Sequence, residues 1–465
     1  MDTAILLSAG LLLAGFALRR LITPLARLHI PGALVAGAMG LLLVQFGEHL
    51  GDTAAGVVAS ARPSWVAWRD LLVPVIFAAL LLERPGGGAA RPADEARATA
   101  QQALAAWVII LGQLAVGLLV AVVVLRPLFG VPAHFGQLLE VSWAGGFGSS
   151  SAWGQQHEAM TGGATGATFA DARDFAVFFT TAGLVWGVIS GVVLVNLGVR
   201  RGWTATGRTA GDESARVDAT PATRPAAPER PATSTGLDAL TLQLIWLVAA
   251  FGLGLLMQRG ASLAVAGLPA DHLVRQSLDK LPLFLFTLLG GWVVRRALTL
   301  LGQHRLIDND LLSRVAGMAL DVLILTAVAT LRIETIAADV VPAAILLVVG
   351  AGWTMFAVLW VGQRLLPGRC WFELAVMNHG FATATTAQGM MLLRMVDPAM
   401  RSGAAPLYAL AAPATAMFIG GGVLTYVIPI LIHRGGTAGA VSVSVVAAAA
   451  AVGLYAVGRR LKSRE

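Results

Sequence analysis

W-A-G-G-F-G-S-S-S-A-W-G-Q-Q-H-E, residues Trp143 to Glu158, lies between long apolar runs. Glycines and three consecutive serines make a poor lipid-facing helix, so this stretch needs another reason to sit there. Irregular backbone at membrane depth is tolerated only where protein buries it or it lines a cavity. The reading of this segment decides the fold: either it crosses the membrane or it enters and turns back.

The surrounding composition fixes the class. Of 465 residues, 57% are hydrophobic and 13% charged, and the mean hydropathy is +0.74. That much apolar surface implies an integral membrane protein. The segments are continuous runs such as Leu242 to Met257, not the alternation of a membrane barrel. A single cysteine, Cys370, excludes an intrachain disulfide and a zinc-type cysteine pair. The net charge of +7 does not point to nucleic acid, because the basic residues fall between apolar runs and read as topology signals. Met1-Asp2-Thr3 lacks the positive n-region of a cleaved signal, so the first apolar segment is expected to remain.

Spans are expected near 4–23, 32–50, 70–82, 103–125 and 174–199, then 239–258, 280–300, 311–331, 337–363, 405–432 and 437–458. Residues 204–237, rich in Ala, Thr, Pro and Arg, cannot bury themselves and are expected to form a disordered cytoplasmic linker. With that linker inside, 24 of the 33 Lys and Arg fall on the cytoplasmic side, which gives N-out and C-in in the cell's inner (plasma) membrane. Arg19 and Arg20 are among these topology signals. The count holds only if two segments do not cross: the opening one, about 143–160, and a second, about 372–392, that contains F-E-L-A-V-M-N-H-G-F-A-T-A-T-T-A-Q-G-M (Phe372 to Met390). Each follows the fourth span of its half.

The expected fold is therefore an all-α polytopic membrane protein of two inverted-topology repeats of five spans. Each repeat carries a re-entrant hairpin, and one extra C-terminal span follows. The first repeat covers 1–203, the second 238–434, and the added span and basic tail 435–465. Inverted repeats with broken segments meeting near the midplane are a common layout of secondary transporters.

The two special segments carry the candidate site. Gly145, Gly146 and Gly148 allow a turn and a close backbone approach. Ser149, Ser150 and Ser151 supply hydroxyls, with Thr383, Thr385 and Thr386 offering the same chemistry beside Asn378, His379 and Gly380. Such groups can donate to a carboxylate or coordinate Na+ without a buried net charge. Small-residue clusters also serve ordinary helix packing, which is the rival reading. Asp321 lies mid-span in M-A-L-D-V-L-I-L. An ionisable residue there costs roughly 2.5–3.5 kcal/mol on insertion scales, so it is a candidate for ion coupling, with Arg314 as an internal partner in the rival reading. Glu140, His157, Glu158 and Glu373 flank the hairpins and read as solvated or gate positions near an interface. Asp171, Arg173 and Asp174 read as an external loop.

At these residues the chain resembles the sodium:glutamate symporter family. Gly145-Gly146-Phe147-Gly148-Ser149-Ser150-Ser151-Ala152-Trp153 resembles that family's Gly-Gly-His-Gly-Thr signature. Thr180-Thr181-Ala182-Gly183-Leu184-Val185-Trp186-Gly187 resembles the span after it, and I-P-G-A-L-V-A-G (Ile30 to Gly37) an early motif. Phe147 stands where the family has histidine, and residues 378–387 keep its Gly-Phe pair but not two glycines and a proline of its second loop. The resemblance implies symport of glutamate or a related small carboxylate, Na+ as coupling ion with no other cofactor, and a homodimer. The alternatives are a proton-coupled transporter of another organic anion and a membrane-embedded enzyme. His157-Glu158 is not followed by the second histidine of a zinc-protease motif, so a zinc protease is not expected, and the chain is read as a transporter and not an enzyme.

Overall fold

The structure is a computed structural model that describes residues 2–22, 30–46, 52–82, 93–161, 169, 171–205, 238–267, 283–383, 385–398 and 401–463. Most of the expected linker, 206–237, lies outside the described residues. Every described element is helical: α1 (Asp2–Leu21), α2 (Gly32–Phe46), α3 (Asp52–Leu82), α4 (Ala93–Val120), α5 (Gly146–Thr161) and α6 (Ala172–Arg200). There follow α7 (Ala239–Val265), α8 (Leu283–Leu300), α9 (Asn309–Ala329), the short α10 (Ile333–Ala338), α11 (Val340–Phe356), α12 (Trp371–Phe381), α13 (Thr386–Val396), α14 (Ala404–Ala411) and α15 (Val423–Lys462). Among the described residues nine helices are long and apolar enough to cross a membrane. The outer ones expose large apolar side chains such as Leu13, Val248, Leu263 and Val452, as a lipid-facing surface must. The chain is a multi-pass helical membrane protein.

Three spans differ from expectation. The third is not short: α3 starts at Asp52, because the polar run around Arg62, Pro63 and Ser64 lowers local hydropathy without ending the helix. The expected span 405–432 is not continuous. Helix α14 ends near Pro413, and the chain leaves helical geometry before α15, with Gly420 and Gly421 at positive φ. The segments 423–435 and 437–462 are two arms of one element, reversed at Gly436 (φ 55°) so that Gly439 comes back against Leu431.

Two packed groups emerge. Helices α1, α2, α3, α7, α8 and α9 form one bundle; α4, α6, α11, α12, α13 and α15 form the other. Small residues allow the close packing, as where Gly291 of α8 meets the Ala78 carbonyl and Gly290 the Ala250 carbonyl. The bundles are bridged by ion pairs at one end. Arg173 of α6 is buried between Asp70 of α3 and Glu158 of α5. Arg332, after α9, reaches Asp174 at 2.7 Å and Asp171 at 2.5 Å. The expected external loop is thus the N-cap and first turn of α6, and its charges fasten the two bundles.

Candidate ion and substrate site

The segment from Ala133 to Thr161 folds back on itself. A 3₁₀ turn (Ala133–Gln137) and a π-helical turn (Leu139–Ala144) lead to Gly146, whose φ of 70° suits glycine, and α5 returns. The return is visible in the side chains. The Trp153 indole donates to Gln137 Oε1 at 3.1 Å, and the His157 ring lies 5.0 Å from that of His134. The two pairings centre on Gly145 and on the Gly145–Gly146 bond.

Glutamines dock this hairpin onto carbonyls that prolines have released. Pro74 has no N–H for the carbonyl of Asp70, and Gln155 donates to that oxygen at 3.1 Å. Pro429 likewise leaves the Thr425 carbonyl unclaimed, and Gln137 Nε2 donates to it at 2.7 Å. Gln156 donates to the neighbouring Tyr426 carbonyl, also at 2.7 Å. Such bonds contribute about 1 kcal/mol each, and more would be lost by leaving the carbonyls orphaned.

The second segment also turns back. Helices α12 and α13 approach so closely that Gly380 abuts Gly389 and Gly389 meets the Met377 carbonyl. Thr385 caps α13 by accepting from the Gln388 N–H at 3.2 Å. Asn378 and Gln102 of α4 exchange two hydrogen bonds, at 2.8 and 3.0 Å. His379 Nε2 lies 2.8 Å from Ser190 Oγ, and Gln113 donates to the Ala382 carbonyl at the turn.

The two turns meet over α6. At Gly183 the Trp143 ring of the first hairpin and the Thr383 carbonyl of the second occupy the space a side chain would need. One helical turn on, Gly187 is covered by the Thr383 side chain and the Gln388 amide. The non-helical chain between α14 and α15 joins them: Gly420 faces Ala144 and Phe381, and Gly421 faces Ser149 and Gly145. Ser150 pairs with Thr180 at 2.6 Å, and Thr180 also donates to the Ser142 carbonyl. Beside the second turn a cavity of about 200 Å³ is lined by Arg19, Pro31, Leu184, Val188, Thr385, Gln388 and Met391.

Most of the expected residues are therefore brought together, with exceptions. Gly148 has open space around it, Thr386 is exposed, and Ser149, Ser150 and Ser151 are buried. Phe147 packs in an apolar cluster with Ala33, Leu184 and Ile324, which fits its lack of a polar group. Asp321 is half-buried on α9 in the other bundle, with no hydrogen bond or ion pair to any described residue, Arg314 included. Glu140, His157 and Glu373, read as solvated, are instead buried; Glu373 accepts from the Ala205 N–H at 2.7 Å. Sequence reasoning missed Arg19, Gln102, Gln113, Gln388 and the break at Gly420. The Gly420-Gly421-Gly422 run was a signal for the last, and only the three-dimensional fold brings the others to the turns.

Among the described residues no group of three or more His, Cys, Asp or Glu is arranged to hold a metal ion. Comparison with protein-family models and with curated proteins returned no match.

Proposed function

We propose that this protein is a secondary active transporter that couples Na+ to the movement of glutamate or a related small carboxylate. The observation that carries the reading is the meeting of two hairpin turns over Gly183, beside a cavity that Arg19 helps to line. Arginine presents a fork of donors that matches a carboxylate, and Thr385 and Gln388 add neutral hydrogen-bonding groups at the same cavity. The hairpins are read as re-entrant and the halves as inverted repeats, in keeping with four spans before each hairpin and with the positive-inside count. The resemblance to the sodium:glutamate symporters agrees with this reading.

The ion pairs that bridge the bundles lie at the Asp171 end of α6, and the cavity lies toward Arg19, at the C-terminal end of α1. In the N-out orientation this is a state closed outside and approached from the cytoplasm. Alternating access then consists of one bundle moving against the other, with those ion pairs breaking.

The test is uptake of labelled L-glutamate into proteoliposomes under an imposed Na+ gradient, a proton gradient, or neither. Accumulation driven by Na+ is expected. Accumulation driven by protons alone would replace the coupling ion, and flux that ignores both gradients would overturn active transport.

A further inference from the structure

Glu140 stands in a setting that the transporter reading above does not yet use. Its side chain is 2% exposed, in the π-helical turn just before the first hairpin's tip. One carboxylate oxygen is fully engaged: Oε1 accepts from the Gly420 N–H at 3.0 Å and from Thr425 Oγ1 at 2.6 Å. The other, Oε2, is buried and has no hydrogen-bond partner among the described residues. None of the ion pairs between described residues involves Glu140.

A carboxylate withdrawn from water without a counter-charge is unstable; it needs a cation or a proton. The groups facing it do not supply one. They are Thr425 and Tyr426 of α15, the Gln137 amide before the turn, and the backbone of Gly420 and Gly421. Tyr426 is the titratable group among them, its hydroxyl facing Ser149, and it is neutral as a phenol. Further buried polar atoms of this hairpin lack partners too: Ser142 Oγ, Trp143 Nε1 and Ser151 Oγ. The non-helical chain at Gly420 and Gly421 runs past the carboxylate and releases backbone carbonyls from helical bonding.

We propose that Glu140, with the Thr425 hydroxyl and the broken chain at Gly420, is the binding site of the transporter's coupling monovalent cation, Na+ or a proton. The proposal rests on the transporter reading for the word coupling, but the site itself is testable without transport. Occupancy removes the unpaired charge beside the hairpin tip, and emptying the site restores it. The cation thereby changes the energy of the packing between this hairpin and α15.

The experiment uses the purified full-length chain and reads its melting temperature together with tryptophan emission, because Trp143 and Trp153 lie in the same hairpin. NaCl is exchanged for choline chloride at constant ionic strength and alkaline pH, and the pH is then lowered without Na+. Wild type is expected to melt higher with Na+ or with falling pH, and whichever acts identifies the cation. Glu140→Gln, the shape of a protonated acid, is expected to fold and to lose that response. Thr425→Val, which keeps the carboxylate, should shift the midpoint of the response to about ten-fold higher cation concentration. A wild type that answers neither cation overturns the proposal, as does a Glu140→Gln protein that answers as wild type does. If Glu140→Gln does not fold, an unshifted midpoint in Thr425→Val overturns it instead. A normal cation response without glutamate uptake would leave this site standing and remove the substrate.

Discussion

The two hairpin turns are built from similar residues and stand in opposite surroundings. The first, Gly145 to Ser151, is closed in: its serines are buried, and the broken chain at Gly420 and Gly421 covers it. Its charged neighbour is the acid Glu140. The second, Thr383 to Gln388, borders a cavity, and its charged neighbour there is the base Arg19. Small hydroxyl residues can serve a cation or an anion equally well. On the proposed transporter reading, the sign of the nearest charge divides the labour, with the cation assigned to the first turn and the carboxylate to the second.

The largest effect is expected where the two turns share one support. Gly187→Leu would drive a side chain into Thr383 and Gln388, and uptake should fall at least a hundred-fold, while Gly148→Ala, placed in open space, should stay within about two-fold of wild type. Equal damage from both would mean that the crowding at Gly187 and the free space at Gly148 do not decide the outcome. Next comes the charge at the cavity. Arg19→Gln should raise the KM for the carboxylate about ten-fold or more, on the scale of a lost charge-assisted bond, and leave cation-induced stabilisation untouched. If Arg19→Gln instead abolished the cation response, the two turns would not be separable.

A smaller shift is expected at the far end. Arg332→Gln removes the pair with Asp174 and Asp171, one of the fasteners between the bundles. Half-exposed pairs of this kind contribute on the order of 1 kcal/mol, so thiol labelling of a cysteine placed near Asp171 should speed up by a few-fold. Unchanged labelling would mean that this contact does not hold the bundles together.

The smallest effect belongs to Asp397, away from both turns. Burial pushes its carboxyl up, but hydrogen bonds from Ser402 and the Arg401 N–H outweigh this and hold it below the usual aspartate range. A carboxylate with a depressed folded pKa stabilises the protein above its unfolded pKa, and that contribution is lost as pH falls through the folded value. Asp397→Asn should lower the melting temperature slightly at neutral pH, with the gap to wild type closing in acid.

Much of this was legible in the chain, for local reasons. Glycine and hydroxyl content marked both segments that turn back, and hydropathy marked most of the long helices, because both signals are carried by neighbours in sequence. The first hairpin's start at Ala133 was not legible, since F-G-Q-L-L-E-V-S-W is apolar enough to pass for helix. The burial of Glu140 and the place of Arg19 at the cavity were missed for one shared reason. A lone charge near a predicted boundary looks solvated until a distant element, here the chain at Gly420 or the Thr385 turn, is folded against it. The docking role of Gln137 and Gln155 depends likewise on prolines 292 and 81 residues away, Pro429 and Pro74.

The most direct test of the central claim joins the two turns. Ala144 and Phe381 both border Gly420, one from each hairpin. With the native Cys370 replaced by serine, Ala144→Cys and Phe381→Cys can be bridged by a short reducible thiol cross-linker in proteoliposomes. The bridge is expected to form within one chain, to stop Na+-driven uptake, and to release it on reduction. A bridge that forms and leaves uptake unchanged would contradict the claim that transport passes where the turns meet.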